Sequence, residues 1–221
     1  MIHYDLEQGT PEWLESRRGC ITGSRFRDAR DKTAKGVASS KAIGYARDIA
    51  RERCHGTVPA IYQNEAMRTG QAQEPIARAA YELRTGRLVE PVGFFKTEDG
   101  MFGLSPDGLI DDDGVLEIKT MVSSNTLFTA VADGDISEYI DQCNGYLWLL
   151  GRQWVDLVLW APDMGQIGLQ MVIRRIERNE DEIEKLESDL MAFSLVVREK
   201  ESQLRKAAAA NKITTQEKES T

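Results

Sequence analysis

Residues 104–120 read LSPDGLIDDDGVLEIKT, and our expectation for the fold starts from this stretch. A Pro-Asp-Gly turn and an Asp-Asp-Asp-Gly turn flank short apolar runs, which predicts two strands joined as a β-hairpin. Side chains alternate along a strand, so Glu117 and Lys119 face one side while the apolar residues beside them face a core. Pairing of the two strands brings Asp107 close to Glu117. The hairpin therefore places two carboxylates and a lysine together.

This group of charges has two interpretations. Two carboxylates held close together repel each other unless a cation lies between them, and hard oxygen ligands favour Mg²⁺ or Mn²⁺. A lysine on the same face holds a water molecule, or stabilises the charge that builds on a phosphate. The hairpin alone is equally consistent with an acidic turn beside a surface Glu–Lys pair. Metal-assisted phosphodiester hydrolysis and a plain surface hairpin both remain open at this point.

The composition limits the class of protein. The 221 residues are 41% hydrophobic and 29% charged, which suits one domain with a sizeable core, or one domain plus an appendage. No apolar run is long enough to predict a transmembrane helix, and the N-terminal MIHYDLEQGT does not resemble a signal peptide. Three widely spaced cysteines without a CxxC pair argue against a disulfide framework and a cysteine-held metal. We expect a cytoplasmic protein with no membrane partner.

The charge distribution gives conflicting indications about nucleic acid. A net charge of −8 counts against nucleic-acid binding. Residues 16–35, however, carry five Arg and two Lys against two Asp. A basic patch can sit on an acidic protein, but most charge runs are solvated helical faces. On charge alone we favour the solvated face.

The order of predicted elements is helices, strands, helix, strands and a last helix. Thr10 and Pro11 predict the start of the first helix and Gly19 its end, and Ser24 is a suitable N-cap for a second helix. Residues 88–121 contain short β-rich runs separated by turn signals, which predicts consecutive strands in a meander. We expect an α/β or α+β fold in which a mixed sheet is flanked by helices.

The C-terminal part of the chain predicts a long helix. Apolar residues recur there at heptad spacing, which is typical of a coiled-coil seam or of a helix that lies on its own domain. We favour the second interpretation, with one domain over residues 1–207. Residues 208–221 are mostly polar, with little to bury, and we expect a disordered tail. The heptad positions are Ile183, Leu186, Leu190, Phe193, Val197 and Leu204.

Four motifs carry a resemblance to a known family. SPDG followed by EIK, with Glu117 ten residues after Asp107, looks like the PD-(D/E)xK nuclease motif. GTPEWLESRRGCITGSRF at 9–26 resembles the N-terminal signature of the lambda-exonuclease family, the YqaJ-like viral recombinases. GQAQE at 70–74 and QCNGY at 142–146 resemble two further helical motifs of that family. All four occur in family order, and the resemblance covers about residues 7 to 175. It implies a restriction-endonuclease-like fold.

The resemblance implies roles for the hairpin and the helices beside it. Asp107 and Glu117 would bind one or two Mg²⁺ ions, or Mn²⁺ as a substitute, together with the backbone carbonyl of Ile118. Lys119 would position or help activate the attacking water. Glu74 would reach the metal directly or through water. Pro75 follows it, which puts Glu74 at a kink or a helix start, and a helix N-terminal carboxylate is the simpler interpretation.

Further roles follow from the helix motif after the metal strand. By resemblance Gln142 would hydrogen-bond the catalytic centre. Tyr146 lies one turn later on the same face, as possible support or as packing alone.

The N-terminal signature implies a binding site for a DNA end. Arg17 and Ser24, near a helix N-terminus, would bind the 5′-phosphate of the strand that is degraded. Arg18 is adjacent and would share or replace that role. Ser105 would contact a phosphate or only bond the turn. Trp13 is expected to pack in the core or at the fork rather than to act in catalysis.

The resemblance implies a phage-type alkaline exonuclease in a bacterial host. Such an enzyme digests one strand of linear duplex DNA from its 5′ end, releases mononucleotides and leaves a 3′ single strand for recombination by strand annealing. Family members form a ring-shaped homotrimer around the duplex, and a single-strand annealing protein is the expected partner. Basic residues can line such a ring while its outside stays acidic.

Three other functions remain open. Restriction endonucleases and junction resolvases share this fold, and a non-catalytic DNA-end binding protein is a more distant alternative. A nuclease with an iron–sulfur cluster needs four cluster cysteines, whereas this chain has three.

Overall fold

A computed structural model of the protein describes residues 1–57 and 65–219, with side chains described as far as Asn211. Its α-helices are α1 (Pro11–Arg17), α2 (Phe26–Ala29), α3 (Ser40–Arg53), α4 (Glu65–Thr85), α5 (Ser124–Leu127), α6 (Ser137–Leu150) and α7 (Glu180–Glu219). Its strands are β1 (Ile2–Tyr4), β2 (Ile21–Thr22), β3 (Val89–Glu90), β4 (Phe94–Lys96), β5 (Phe102–Leu104), β6 (Gly108–Ile110), β7 (Gly114–Thr120), β8 (Trp154–Trp160) and β9 (Met171–Glu177). No helix in the described ranges has both the length and the apolar content that a membrane span requires.

The strands form two sheets. The central sheet has the order β3-β6-β7-β8-β9, with β7 and β8 parallel and the other pairs antiparallel. The chain crosses from β7 to β8 through α5 and α6, as a parallel pair requires. The second sheet has the order β1-β4-β5-β2. The predicted mixed sheet is confirmed.

The meander expected over residues 88–121 is wrong in part. Within that segment β6 and β7 pair in the central sheet, whereas β4 and β5 pair with each other in the second sheet. Strand signals are local, but the choice of partner strand depends on contacts between distant parts of the chain. The predicted hairpin of β6 and β7 is confirmed.

Strand β7 is buried on both faces. Val115 contributes to the larger core, which joins the strand to helices α2, α3, α6 and α7. Leu116 and Ile118 point the other way, into a smaller core with Ala77 and Tyr81 of α4. Their prediction as core residues is confirmed. Since both faces are covered, a charged side chain on β7 lies inside the protein rather than on its surface.

The first helix begins as its sequence predicts, but the second does not. The Thr10 hydroxyl accepts a hydrogen bond from the Trp13 N–H at 3.3 Å, and Gly19 adopts φ +71° just after the helix end. Ser24 lies inside a short 3-10 turn at Gly23–Arg25 and caps no helix, so its predicted capping role is wrong. In the 3-10 turn the Phe26 N–H bonds the Gly23 carbonyl, so this backbone donor is not left for a capping hydroxyl.

Two helices extend beyond their expected limits. Pro75 lies inside α4, so Glu74 is at an interior position of that helix and not at its start. Helix α7 continues past residue 207 to Glu219, across the start expected for a disordered tail. Residues 207–210 are four alanines, which have the highest helix propensity. Residues 220 and 221 lie outside the described residues.

Candidate active site

The hairpin of β6 and β7 brings Asp107 against the backbone of β7. Ladder pairing ends at Gly108 and Leu116, and the Asp107 N–H donates to the Leu116 carbonyl at 3.2 Å. The Asp107 carboxylate accepts a bond from the Ile118 N–H at 2.6 Å. In a strand the N–H and C=O of one residue point to the same side. The Ile118 carbonyl therefore faces the Asp107 side, beyond the last paired residue of β6.

Glu117 is the most enclosed carboxylate of the site, with only 3% of its surface exposed. Its Oε1 lies 2.7 Å from the Lys119 ammonium and 2.8 Å from the Gln142 amide nitrogen. Its Oε2 accepts a hydrogen bond from the Tyr146 hydroxyl at 2.6 Å. A buried carboxylate is tolerated only with such partners. The alternation along β7 thus places Glu117 and Lys119 on one face, as predicted.

Helix α6 supplies the polar partners of that face. Gln142 and Tyr146 lie four residues apart and so share one side of the helix, and their polar atoms are 2.6 Å apart. The Gln142 carbonyl oxygen accepts a bond from Lys119 at 3.1 Å. Gly145 allows this close packing, because a Cβ there would lie 2.5 Å from the Phe26 ring. The structure therefore brings Gln142 and Tyr146 to the predicted carboxylates.

Helix α4 adds a third carboxylate. Glu74 accepts a hydrogen bond from Arg78 Nη2 at 2.7 Å, one helical turn later. Burial raises the pKa of Glu74, and the charge of Glu117 raises it further, while Arg78 opposes both effects. An electrostatic influence from Glu117 requires proximity, so Glu74 belongs to the same charged group.

Each of the three carboxylates makes ionisation of the others less favourable. Burial raises the pKa of Asp107 well above its ordinary value, and the charges of Glu117 and Glu74 add to the effect. Burial lowers the pKa of Lys119, but the attraction of Glu117 and Asp107 outweighs burial and raises it. Three carboxylates therefore face two cations, Lys119 and Arg78. When all three carboxylates are ionised, the site carries one negative charge more than these cations balance.

The donor set fits a divalent cation. Carboxylate oxygens of Asp107 and Glu117 and the carbonyl of Ile118 are hard ligands of the kind that Mg²⁺ prefers. The second oxygen of Asp107 has no hydrogen-bond partner among the described residues. Among the described residues, no group of three or more Asp, Glu, His or Cys side chains is arranged to hold a metal ion. Both oxygens of Glu117 are already bonded to protein groups, so a cation would compete with these bonds. Glu74 bonds Arg78 through one oxygen only.

An open cleft of about 870 Å³ adjoins the carboxylates. Its walls include the turn after β1, the start of α1 and one face of α4, with Trp13, Glu74, Arg78, Gly93 and Asp107 among its lining residues. The cleft gives solvent, and a molecule larger than solvent, access to Asp107 and Glu74.

Arg17 is a cation beside the site. Its guanidinium stacks on the Trp13 ring at 4.0 Å, and among the described residues it has no hydrogen-bond or carboxylate partner. Burial lowers the pKa of Arg17, while Tyr45 and Tyr146 oppose this effect. Arg18, in contrast, donates to the Gly56 carbonyl at 2.7 Å and contacts Glu15. Arg17 is therefore the freer of the two arginines.

The remaining predicted phosphate ligands differ in their availability. The Ser105 hydroxyl donates to the Gly93 carbonyl at 3.0 Å and accepts from the Trp13 indole N–H at 3.2 Å. It therefore bonds the turn, as one of its two interpretations held. Ser24 is exposed beside Arg25, and no hydrogen bond engages its hydroxyl within the described ranges.

Three residues near the site were missed or undervalued at the level of sequence. Trp13 connects Arg17 to Ser105 rather than only filling the core. Arg78 pairs with Glu74, and its spacing of four residues on a predicted helix could have indicated this. Tyr139 lies with its ring 5.7 Å from the Lys119 ammonium, and no sequence signal marked it.

Comparisons with known proteins identify a family and similar solved structures. The family model of the YqaJ-like viral recombinase domain matches residues 12–153. Crystal structures of an alkaline exonuclease, LHK-Exo from Laribacter hongkongensis, alone and in complex with dAMP, are similar at 33% sequence identity and a TM-score of 0.79. Each match covers 91% of this chain and 99% of the other. A comparison with curated protein sequences finds no match.

A more distant structure supports the fold alone. A phage-related exonuclease from Haemophilus somnus 129PT is 16% identical with a TM-score of 0.66, over 85% of this chain and 96% of that one. The expected restriction-endonuclease-like fold is confirmed by these neighbours. The family and its solved relatives indicate a nuclease. Because the family model spans more than half of the chain and agrees with the four motifs, the protein belongs to the YqaJ-like viral recombinase family.

Proposed function

We propose that this protein is a metal-dependent exonuclease that digests linear double-stranded DNA in the 5′-to-3′ direction. It releases mononucleotides and leaves a 3′ single strand for phage-type recombination by strand annealing. The observation that carries the proposal is the group formed by Asp107, Glu117 and Lys119, of which Asp107 lines an open cleft. Membership of a nuclease family and the 33% identity to an alkaline exonuclease support it.

Asp107, Glu117 and the carbonyl of Ile118 would hold one or two Mg²⁺ ions, with Mn²⁺ as a substitute. Glu74 would complete the set directly or through water. When bound, the cation supplies Lewis-acid polarisation of the phosphate and lowers the pKa of a bound water. The excess of negative charge at the site supports this assignment, because a cation relieves repulsion between the carboxylates.

Lys119 acts on the reacting groups through its ammonium. Its pKa is raised, so the side chain stays protonated and donates hydrogen bonds. Such a donor orients the attacking water and stabilises the negative charge that develops on the phosphate oxygens. Gln142 holds both Lys119 and Glu117, and Tyr146 holds Glu117, so these two residues position the charged groups.

Arg17 binds the terminal 5′-phosphate in this proposal. A guanidinium without a protein partner can make two charge-assisted bonds to a phosphate. Trp13 connects it to Ser105, whose carbonyl lies 3.4 Å from the Tyr146 hydroxyl. This row of contacts supports a fixed distance between the anchored 5′ end and the carboxylates. Ser24 is a further ligand of the phosphate.

The proposed assembly is a homotrimeric ring around the duplex, and the proposed partner is a single-strand annealing protein that loads onto the exposed strand. Enclosure of the DNA would give processivity. The protein would act in the cytoplasm of a bacterial host, as part of a phage or prophage. Family membership supports these points.

The test uses two duplexes of one sequence, one linear and one covalently closed. Each is incubated with the protein and Mg²⁺, and again with EDTA. We expect mononucleotides and a 3′ single strand from the linear duplex with Mg²⁺ only, and no change in the closed circle. Labels at the 5′ and the 3′ end of the linear duplex identify the direction of digestion.

Other results would identify another function. Cleavage of the closed circle indicates a restriction endonuclease, and cleavage of a four-way junction indicates a resolvase. Binding of linear ends without nucleotide release, with or without Mg²⁺, indicates a DNA-end binding protein. Each of these results contradicts the proposed exonuclease.

A further inference from the structure

Arg78 has an unusual environment for a helical arginine. It follows Glu74 by one turn of α4 and donates from Nη2 to the Glu74 carboxylate at 2.7 Å. Both side chains are mostly enclosed, with 20% and 24% of their surface exposed. Both line the cleft that also contains Asp107. The pair therefore stands in the wall of the candidate active site and not on an ordinary solvated face.

The guanidinium of Arg78 is incompletely satisfied. Its Nε is buried and has no hydrogen-bond partner within the described ranges. A buried donor without an acceptor is costly, and such groups are retained where they serve another purpose than stability. Packing alone thus gives a poor account of an arginine at this position.

Repulsion between the carboxylates of the site gives a cationic side chain beside Glu74 a role. Glu74 feels repulsion from Glu117, and Asp107 feels repulsion from both of them. Without a tether, the Glu74 side chain would turn away from the other carboxylates toward the open cleft. Arg78 forms an ion pair with Glu74, and its positive charge offsets the repulsion that Glu74 experiences from Glu117.

We propose that Arg78 is a positioning residue for the nuclease reaction and acts by holding the Glu74 carboxylate beside Asp107 and Glu117. The inference rests on the proposed function. Arg78 acts through Glu74 and does not itself contact the reacting phosphate. Its removal should lower the turnover rate at saturating DNA and leave KM for DNA ends unchanged.

The experiment is a double-mutant cycle on the full chain with Arg78→Ala, Glu74→Ala and the combined variant. Digestion of 5′-phosphorylated linear duplex is measured at saturating and at limiting DNA. We expect Arg78→Ala to lower the turnover rate by about 10- to 100-fold, as for a lost hydrogen bond to a charged group. In the Glu74→Ala background the same change should have almost no further effect. Arg78→Lys should restore part of the rate.

The matched control is Arg205→Ala, which removes an Arg–Glu pair of the same four-residue spacing on α7, where Arg205 lies 2.7 Å from Glu201. It should digest DNA at the wild-type rate. If Arg78→Ala does not fold, judged by circular dichroism, Arg78→Lys and Arg78→Gln take its place in the cycle.

Two kinetic results would overturn the inference. The first is an equal loss of rate from Arg78→Ala with and without Glu74, which would mean that the two residues act independently. The second is a raised KM for DNA with unchanged turnover, which would make Arg78 a DNA-binding residue.

A crystal structure of Arg78→Ala gives a readout that does not depend on activity. Glu74 should have rotated away from Asp107, and an unmoved Glu74 would refute the inference. If the wild-type protein digests no DNA, the proposed function fails, and the position of Glu74 still decides the role of Arg78.

Discussion

Glu117 organises the site through its two carboxylate oxygens. They contact Lys119 from the same strand and Gln142 and Tyr146 from a distant helix. These donors fix the orientation of the carboxylate before any ligand enters. Hydrogen bonds to charged groups are worth about 1.5–3 kcal/mol each, so the local arrangement is rigid.

The central prediction concerns the charged hairpin face. Asp107→Ala, Glu117→Ala and Lys119→Ala should each lower nucleotide release from linear duplex by at least about 100-fold, as when about 2.7 kcal/mol of transition-state stabilisation is lost. The folds should stay intact by circular dichroism. Asp112→Ala, which removes an exposed carboxylate from the turn of the same hairpin, is the control and should keep full activity. Near wild-type digestion by folded Asp107→Ala would refute the proposed chemistry.

The raised pKa of Asp107 predicts a dependence of stability on pH in EDTA. An acid whose folded pKa exceeds its unfolded value, about 3.8, binds protons more readily in the folded state. Its contribution to stability therefore falls as pH rises through and above the unfolded pKa. Asp107→Asn should gain stability over wild type, and the gain should grow from pH 4 toward about pH 7. Urea unfolding at several pH values measures it, and a gap that shrinks with rising pH would contradict the sign.

Substitutions of the neighbouring residues Arg17 and Arg18 should have opposite effects on the preference for a 5′-phosphate. Arg17→Ala should strongly slow digestion of 5′-phosphorylated duplex and have less effect on 5′-hydroxyl duplex, because only the former carries the terminal dianion. Arg18 is already bonded to the Gly56 carbonyl, so Arg18→Ala should keep the full preference for phosphate. Initial rates on both duplexes give the comparison. If Arg17→Ala keeps the preference and Arg18→Ala loses it, Arg18 is the anchor.

At the scale of elements, helix α6 determines how the site is assembled. It packs against α2 and α7 and delivers two polar side chains to the carboxylate face of β7. Its approach depends on a residue without a side chain at the contact with the Phe26 ring. The distance between α6 and α2 is therefore coupled to the position of Gln142 and Tyr146.

This coupling makes Gly145→Ala informative. The new Cβ would lie 2.5 Å from a fully buried ring, so we expect a loss of about 1–3 kcal/mol of stability and reduced activity, because α6 must shift. Gly44 in α3 is the control, since a Cβ there meets nothing within 4 Å. Gly44→Ala should be neutral or stabilising by up to about 1 kcal/mol. Urea denaturation of both variants tests this, and equal stabilities would contradict the packing argument.

At the scale of the whole molecule, the acidic net charge has to be reconciled with a DNA substrate. Much of the basic segment at 16–35 is neutralised within the chain, since Arg25, Arg30 and Lys32 pair with carboxylates. Arg17 has no such partner among the described residues. Affinity for DNA would therefore come from a few placed cations and from enclosure rather than from overall charge.

Enclosure requires an oligomer, and the last prediction concerns its size. The proposed ring contains three chains of 24.8 kDa each, or about 74 kDa. Light scattering at the concentration used for digestion should give this mass. An active monomer would refute the ring. Processivity is measured separately. The protein is first bound to labelled duplex, and excess unlabelled duplex is then added to trap any protein that dissociates. Digestion of the labelled strand should continue without interruption.

Features that depend only on neighbouring residues can be predicted from the amino-acid sequence. Strand alternation placed Glu117 and Lys119 on one face, the acidic turn closed the hairpin, and Thr10 capped its helix. Helical spacing put Gln142 and Tyr146 on one side of α6. These arrangements follow from backbone geometry over a few residues, so the sequence suffices to predict them.

Which of these local features meet depends on the packing of distant parts of the chain in the tertiary structure. It divided the expected meander between two sheets, moved Ser24 from a helix cap to a 3-10 turn, and set Glu74 inside a helix. It also engaged Arg18, left Arg17 without a hydrogen-bond or carboxylate partner among the described residues, and placed Arg78 in the wall of the cleft. Partner choice and burial depend on contacts between residues far apart in sequence. Local periodicity carries no information about such contacts, because the same pattern is compatible with several ways of packing.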